Sequence, residues 1–172
     1  MTDITDFNLG ANTKAERKML LCCANTGTSA APVWEYLGYG VEESSIEFNL
    51  EETTKTDILG VTSTTLGKPQ RRQSFEPCEI REGSDLQVML YNILRHDSWS
   101  ELSAFDLLIV HLYAGTTGAF EAERYPASAI IPASLGGSTT LDMPFEVVYG
   151  GKKALGTVAI ASDGAVTFTP AA

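Results

Sequence analysis

The strongest periodicity in the chain lies at residues 84–96, SDLQVMLYNILRH. Leu86, Met89, Leu90, Ile93 and Leu94 recur there at the i, i+3, i+4, i+7, i+8 spacing of an amphipathic helix. Ser84 and Gln87 fit a capping box, and Asp85 suits the positive end of a helix, as Arg95 and His96 suit the negative end. Elsewhere the period is two or the runs are short and apolar. In SSIEFNLEET, residues 44–53, Ile46, Phe48 and Leu50 alternate with Ser45, Glu47, Asn49 and Glu51, which predicts a strand with one dry face and one wet, acidic face. LDMPFEVVY, residues 141–149, sets Phe145, Val147 and Tyr149 against Glu146 and Val148. RKMLLCCA, residues 17–24, and FDLLIVHLY, residues 105–113, read as buried strands. AERYPASAIIPAS, residues 122–134, is extended, and its Pro126 and Pro132 predict edges or bulges. GTVAIASDGAVTFTP reads as a hairpin turning at Asp163–Gly164. The sum predicts a mainly β (α+β) fold, a sandwich or barrel with one packed helix.

Residues 53–73, TTKTDILGVTSTTLGKPQRRQ, break the pattern. A connection of about 20 residues is unusual inside a compact domain. Its Thr and Val content predicts an extended hairpin arm rather than a random linker, with an apolar knot at Ile58–Leu59. APVWEYLGYG, with Trp34, Tyr36 and Tyr39, reads as a glycine-punctuated aromatic loop that either staples to the core or meets another chain. The polar, aperiodic start predicts a flexible arm over residues 1–16, leaving residues 17–172 as a single domain, which suits a chain of 172 residues.

Charge narrows the functional classes. Twelve Lys and Arg against 22 Asp and Glu give a formal net charge of -10. A chain this acidic is a poor binder of polyanions and of anionic membrane surfaces. No apolar run approaches a spanning length, and MTDITDFNLG lacks the basic and apolar regions of a leader peptide, so neither is expected. Cys22, Cys23 and Cys78 form no CxxC pair and are expected to be reduced, partly buried thiols. The charges are also segregated. Glu42, Glu43, Glu47, Glu51 and Glu52 crowd one stretch without a base, and Lys68, Arg71 and Arg72 crowd another without an acid. At opposite ends of a subunit these would meet head to tail between copies and build rings or filaments; the plainer reading is an ordinary mixed surface.

Catalytic signals are sparse. His96 and His111 have no His or Cys within four residues, so zinc spacing is missing. The chain contains no G-x-S-x-G, GxGxxG or GxxxxGK[ST] motif. The adjacent pairs Glu42–Glu43 and Glu51–Glu52 read as solvated faces rather than acid/base dyads. No catalytic, cofactor or metal residues are assigned, and the chain is not expected to be an enzyme. An enzyme would require a pocket holding His111 or Cys78 beside an acid of shifted pKa.

Four stretches taken together resemble the major tail tube protein of long-tailed (siphovirus-type) bacteriophages and prophages of Gram-positive bacteria. They are the Trp34 segment leading through Gly38 and Gly40 into SSIEFNLEETTKTDILG, the arm TDILGVTSTTLGKPQRRQSFEPCEI, the helix opening in EGSDLQ, and the closing GTVAIASDGAVTFTP. The resemblance implies a structural virion protein of β-sandwich type with a flanking helix and a long protruding hairpin. It implies self-assembly into hexameric rings stacked as a hollow tail tube, with the tape-measure, tail terminator and baseplate proteins as partners. It also implies assembly in the bacterial cytoplasm and DNA ejection through the lumen without specific binding. A C-terminal immunoglobulin-like decoration domain, carried by some relatives, is not expected. On this reading Ser45, Glu47, Asn49 and Glu51 face the lumen, where acidic and small polar groups let DNA slide. Lys55, Asp57, Ile58, Leu59, Lys68, Arg71 and Arg72 belong to a ring-stacking arm. The alternatives are the tube subunit of a contractile tail, tailocin or type VI secretion system and, in another class, a small-molecule-binding β-barrel with an apolar interior pocket.

Overall fold

A computed structural model describes residues 7–172; residues 1–6 of the expected N-terminal arm lie outside the described residues. A short 3-10 turn, Arg17–Met19, leads into β1 (Leu20–Asn25), which pairs antiparallel with the short β2 (Trp34–Tyr36) on one side and with β7 (Phe105–Thr116) on the other. The predicted aromatic loop is thus in part an edge strand. β7 pairs along its length with β8 (Ala119–Pro132), and beyond β8 the sheet divides. Residues 120–124 of β8 pair with β10 (Ala154–Ile160), itself paired with β11 (Val166–Pro170). Residues 129–132 pair with β9 (Phe145–Val148), which continues to β6 (Arg72–Phe75) and β3 (Ile46–Glu47). The division falls where the β7–β8 register slips between Tyr125 and Ser128. Pro126 sits in that slip, and a residue without an N–H belongs at a bulge.

The curled antiparallel sheet buries residues on both faces. Adjacent residues of a strand point oppositely, and Cys22 and Cys23 show the consequence. Cys22 (4% exposed) joins a core with Leu107, Ile109, Ile130, Phe145 and Val147, while Cys23 (0% exposed) joins one with Trp34, Leu108, Val110, Val158 and Val166. Both thiols are therefore fully rather than partly buried. The first core is covered by α1 (Asp85–Arg95), whose Leu86, Leu90 and Ile93 point inward. The second is covered by the β10–β11 hairpin. Gly156 lets that hairpin close, because a Cβ there would stand 2.3 Å from the Thr169 carbonyl oxygen and 2.7 Å from the Phe168 ring.

The helix start departs from a capping box. Ser84 Oγ accepts from the Gln87 N–H at 3.3 Å, but Gln87 turns away, its Oε1 accepting from the Arg81 N–H and its Nε2 donating to the Glu79 carbonyl. Glu35 of β2 takes the vacant role, accepting from the Leu86 N–H at 2.8 Å and from Ser84 Oγ at 2.5 Å. A carboxylate at that end also suits the helix dipole.

The alternation over residues 44–53 is corrected. Only Ile46–Glu47 joins the main sheet there, a separate strand begins at Glu52, and Phe48 and Leu50 between them are half in solvent rather than on a dry face. Asn49 adopts φ 45°, a left-handed turn that ends the extended run, so period two stops after Glu47. Within the stretch expected to be a flexible arm, Asn8 donates to the Tyr113 and Leu112 carbonyls, and the Phe7 ring meets Tyr113 edge-on at 5.3 Å.

Candidate functional site

The arm is a separate two-stranded sheet, β4 (Glu52–Thr56) and β5 (Thr62–Leu66), whose residues are all exposed. Its strands run Glu52 opposite Leu66 to Thr56 opposite Thr62. Cross-strand threonine hydroxyls meet at 3.4 Å (Thr54, Thr64) and 3.1 Å (Thr56, Thr62), pairs that suit a hairpin wet on both faces. Asp57 shapes the tip. Its Oδ1 accepts from the Leu59 and Val61 N–H groups, both at 2.9 Å, and Gly60 supplies the φ of 78° that the turn needs. Ile58 is then fully exposed and Leu59 82% exposed, with Val61 beside them. Ile58 and Leu59 therefore crown the arm, with Lys55 and Asp57 just below.

Two of the predicted basic arm residues are placed elsewhere. Arg71 and Arg72 sit at the root, bound to their own chain, while Lys68 is exposed. Arg72 pairs across the sheet with Glu146 at 3.1 Å. Arg71 donates to both Glu123 and Tyr125, lies 5.3 Å over the Phe48 ring, and shares Glu123 with Lys153 at 3.4 Å. The strand that resumes the main sheet starts sooner than the run of polar residues suggested, because Gln73 and Phe75 are core positions. Arg71 thus clamps the arm to β8. Asn49 Nδ2 donates to the Gln70 carbonyl at 3.1 Å, and the Gly67 N–H donates to the Glu51 carbonyl at 2.7 Å, closing the root. Burial pushes the Glu123 carboxyl up, but the Tyr125 hydroxyl and the Arg71 and Lys153 cations outweigh it, and the group sits below its ordinary range. Burial, with Glu123 alongside, pushes the Tyr125 phenol well up.

Ser45, Glu47, Asn49 and Glu51 are all exposed, but they do not share one strand face. Ser45 and Glu47 lie at the β3 edge, whereas Asn49 and Glu51 belong to the arm root.

A groove of about 410 Å³ opens at the other end of β6. Leu20, Leu37, Val41 and Phe75 line it, and Arg17, Lys18 and Glu42 border it. Arg17 is aimed by backbone carbonyls, donating to Ser44 at 2.9 Å and to Leu20 at 2.7 Å. Behind the groove is a buried polar network. Gln73 Oε1 accepts from Tyr149 OH at 2.6 Å and from Cys22 Sγ at 3.1 Å, and Gln73 Nε2 donates to Ser44 Oγ at 2.9 Å. Burial pushes the Cys22 thiol up, so it stays protonated. Sequence reasoning missed this groove. Its signal was the Leu37–Val41 segment, where Gly38 and Gly40 both take positive φ to carry the loop over the opening.

The residues that an enzyme would need are engaged otherwise. His111 Nδ1 meets Tyr113 OH at 2.8 Å, and burial pulls its pKa down against the opposing pull of Glu123. Cys78 borders a cavity of only about 30 Å³, and burial pushes its thiol up. Among the described residues, no cluster of three or more His, Cys, Asp or Glu side chains could hold a metal, and no helix is long and apolar enough to cross a membrane.

No protein-family model matches the chain, and no curated protein matches it. Among solved structures it is similar to the sheath/tube terminator of the extracellular contractile injection system PVC in its extended state, with a TM-score of 0.48 and 9% identity over 85% of this chain and 99% of that one. It is also similar to the tube terminating cap of the anti-feeding prophage, with a TM-score of 0.44 and 9% identity over 87% and 95%. Likenesses of this degree bear on neither activity nor partners.

Proposed function

We propose that the chain is a structural, self-assembling subunit of a phage-type tail tube, most simply a major tail tube protein. The observation that carries this reading is the arm. A two-stranded hairpin is at best marginally stable alone in water, and here it stands clear of the sheet with Ile58, Leu59 and Val61 gathered at the tip. Exposed apolar surface of this kind marks an interaction site. The two thick cores are filled by side chains from both faces of the sheet, which favours a building block over a barrel with an interior ligand pocket. On this proposal copies join in rings, rings stack through the arm, and the small polar Ser45 and Asn49 turn toward the bore with the acidic Glu47 and Glu51. With a net charge of -10, the tube wall repels phosphate and lets nucleic acid pass.

The test is to replace residues 52–66 by a two-glycine link, since Glu51 and Gly67 are already hydrogen-bonded at the root. The expected result is a folded protein with unchanged far-ultraviolet dichroism of its main sheet and no hollow rods in negative-stain micrographs, where the intact chain forms them. Rods from the shortened chain, or none from the intact chain at any concentration, would refute the proposal.

A further inference from the structure

Arm and groove lie at opposite ends of one strip of sheet. The chain enters β6 from the arm root at Arg72 and leaves it at Phe75, whose ring lines the groove, and across the ladder Glu47 of β3 faces Arg72 at the root end. The two features are also complementary. The tip carries Ile58 and Leu59 beside one acid, Asp57, whose second oxygen Oδ2 is not used by the turn. The groove offers Leu20, Leu37, Val41 and Phe75, bordered by Arg17 and by Lys18, whose ammonium also pairs with the exposed Glu16 at 2.6 Å. Lys55, on the strand below the tip, has its counterpart in Glu42 on the groove border. From the root to Ile58 the arm spans about seven residues, a reach of ~20 Å at the rise of a strand. Every residue of its two strands is exposed, so it does not lie in its own groove, and the Arg71 clamp and the Asn49–Gln70 bond hold its root in place.

We propose that the groove bordered by Arg17 and Lys18 is the receptor for the hairpin tip of a second copy, with Ile58 and Leu59 inserted over Val41 and Phe75 and Asp57 facing the two cations. This rests on the tube-subunit reading and adds to it the surface that the arm grips. A tip at one end and its socket at the other make a heterologous contact, which propagates from copy to copy and needs no second kind of subunit. It also covers the exposed tip and the open groove together.

Site-directed cross-linking tests the contact. Leu59→Cys and Val41→Cys are made in separate full-length chains, which are mixed and oxidised gently. Cys22, Cys23 and Cys78 are buried, so the unaltered chain serves as the control and should not cross-link. The expected result is a disulfide-linked dimer in the mixture that neither variant forms alone, and a ladder of higher species when both changes sit in one chain. A further variant, Leu59→Ser, alters a side chain with no role in the fold and should raise the concentration needed for assembly roughly tenfold or more. Hollow rods without the mixed cross-link would overturn the socket and leave the tube reading standing. A mixed cross-link without rods would uphold the socket and overturn the tube. Neither rods nor cross-link would overturn both.

Discussion

The two hairpins of this chain, β4–β5 and β10–β11, are built from similar residues and come to opposite ends. Both are rich in Thr, and both turn through an Asp and a Gly, Asp57 with Gly60 and Asp163 with Gly164. In β10–β11 the apolar residues alternate along the strands. Val158 and Val166 are buried in the smaller core, Ile160 and Phe168 pack partly against it, and β10 pairs with β8. In β4–β5 the strands are Thr, Ser, Lys and Glu on both faces up to Leu66, and the apolar residues are displaced to the tip. A hairpin with a dry face finds its sheet within the chain; a hairpin with a dry end has to find a partner beyond it. The placement of three or four side chains, rather than strand propensity, decides between a structural element and a contact element.

Substitutions in the two hairpins should separate these roles. Val158→Asp puts an unpaired carboxylate into a fully buried position and should destabilise the fold by ~3 kcal/mol or more, seen as loss of a cooperative urea transition or as insoluble protein. Leu59→Asp, the matching change on the arm, should move the transition by less than ~0.5 kcal/mol and abolish only assembly. A large shift from Leu59→Asp would mean that the arm packs on its own body.

Arg71→Met breaks the junction between arm and sheet. It leaves Glu123 with Lys153 as its remaining cation and Tyr125 as its remaining donor, and should cost about 1–3 kcal/mol in chemical denaturation. Because the arm itself is untouched, amide exchange in β4 and β5 should be unchanged while that of residues 48–51 quickens. Equal protection at the root before and after would show that Arg71 does not hold it.

The smallest effect concerns acid. The His111 pKa is depressed in the folded protein, so the unfolded chain takes up a proton first, and stability that is complete above the ordinary histidine range is lost as pH falls through it. Glu123 is likewise depressed, so its contribution is present above the ordinary carboxylate range and fades only at lower pH, through its folded pKa. The melting temperature should therefore fall in two stages on acidification, and His111→Gln should flatten the first stage, between roughly pH 7 and pH 5. An unchanged first stage in that variant would assign the loss to another group.

Legibility in the sequence followed locality. The helix was readable from Leu86, Leu90 and Ile93 because its period and its Ser84 cap are contained within a dozen residues. The terminal hairpin was readable for the same reason, and the mainly β architecture followed from both. The arm was visible as a break in pattern. What failed depended on single backbone torsions and distant partners. Asn49 ended an alternation that composition alone extended to Glu51, and Arg71 and Arg72 were counted with the arm because Glu123 and Glu146 lie far away in sequence. The groove draws on residues from 17 to 75, and no window of sequence contains it. The division of the sheet at β8 was likewise hidden, although Pro126 marked the place.

The Arg71–Glu123 clamp has a mechanical consequence. Glu123 belongs to β8, the strand on which both halves of the sheet converge, whereas the arm emerges beside β3, a rim of only two residues. A tug on the protruding finger is therefore delivered to the central beam of the molecule instead of peeling the rim away. In a stack of such bodies, tension would run from beam to beam, and the weakest pairing in each would be spared.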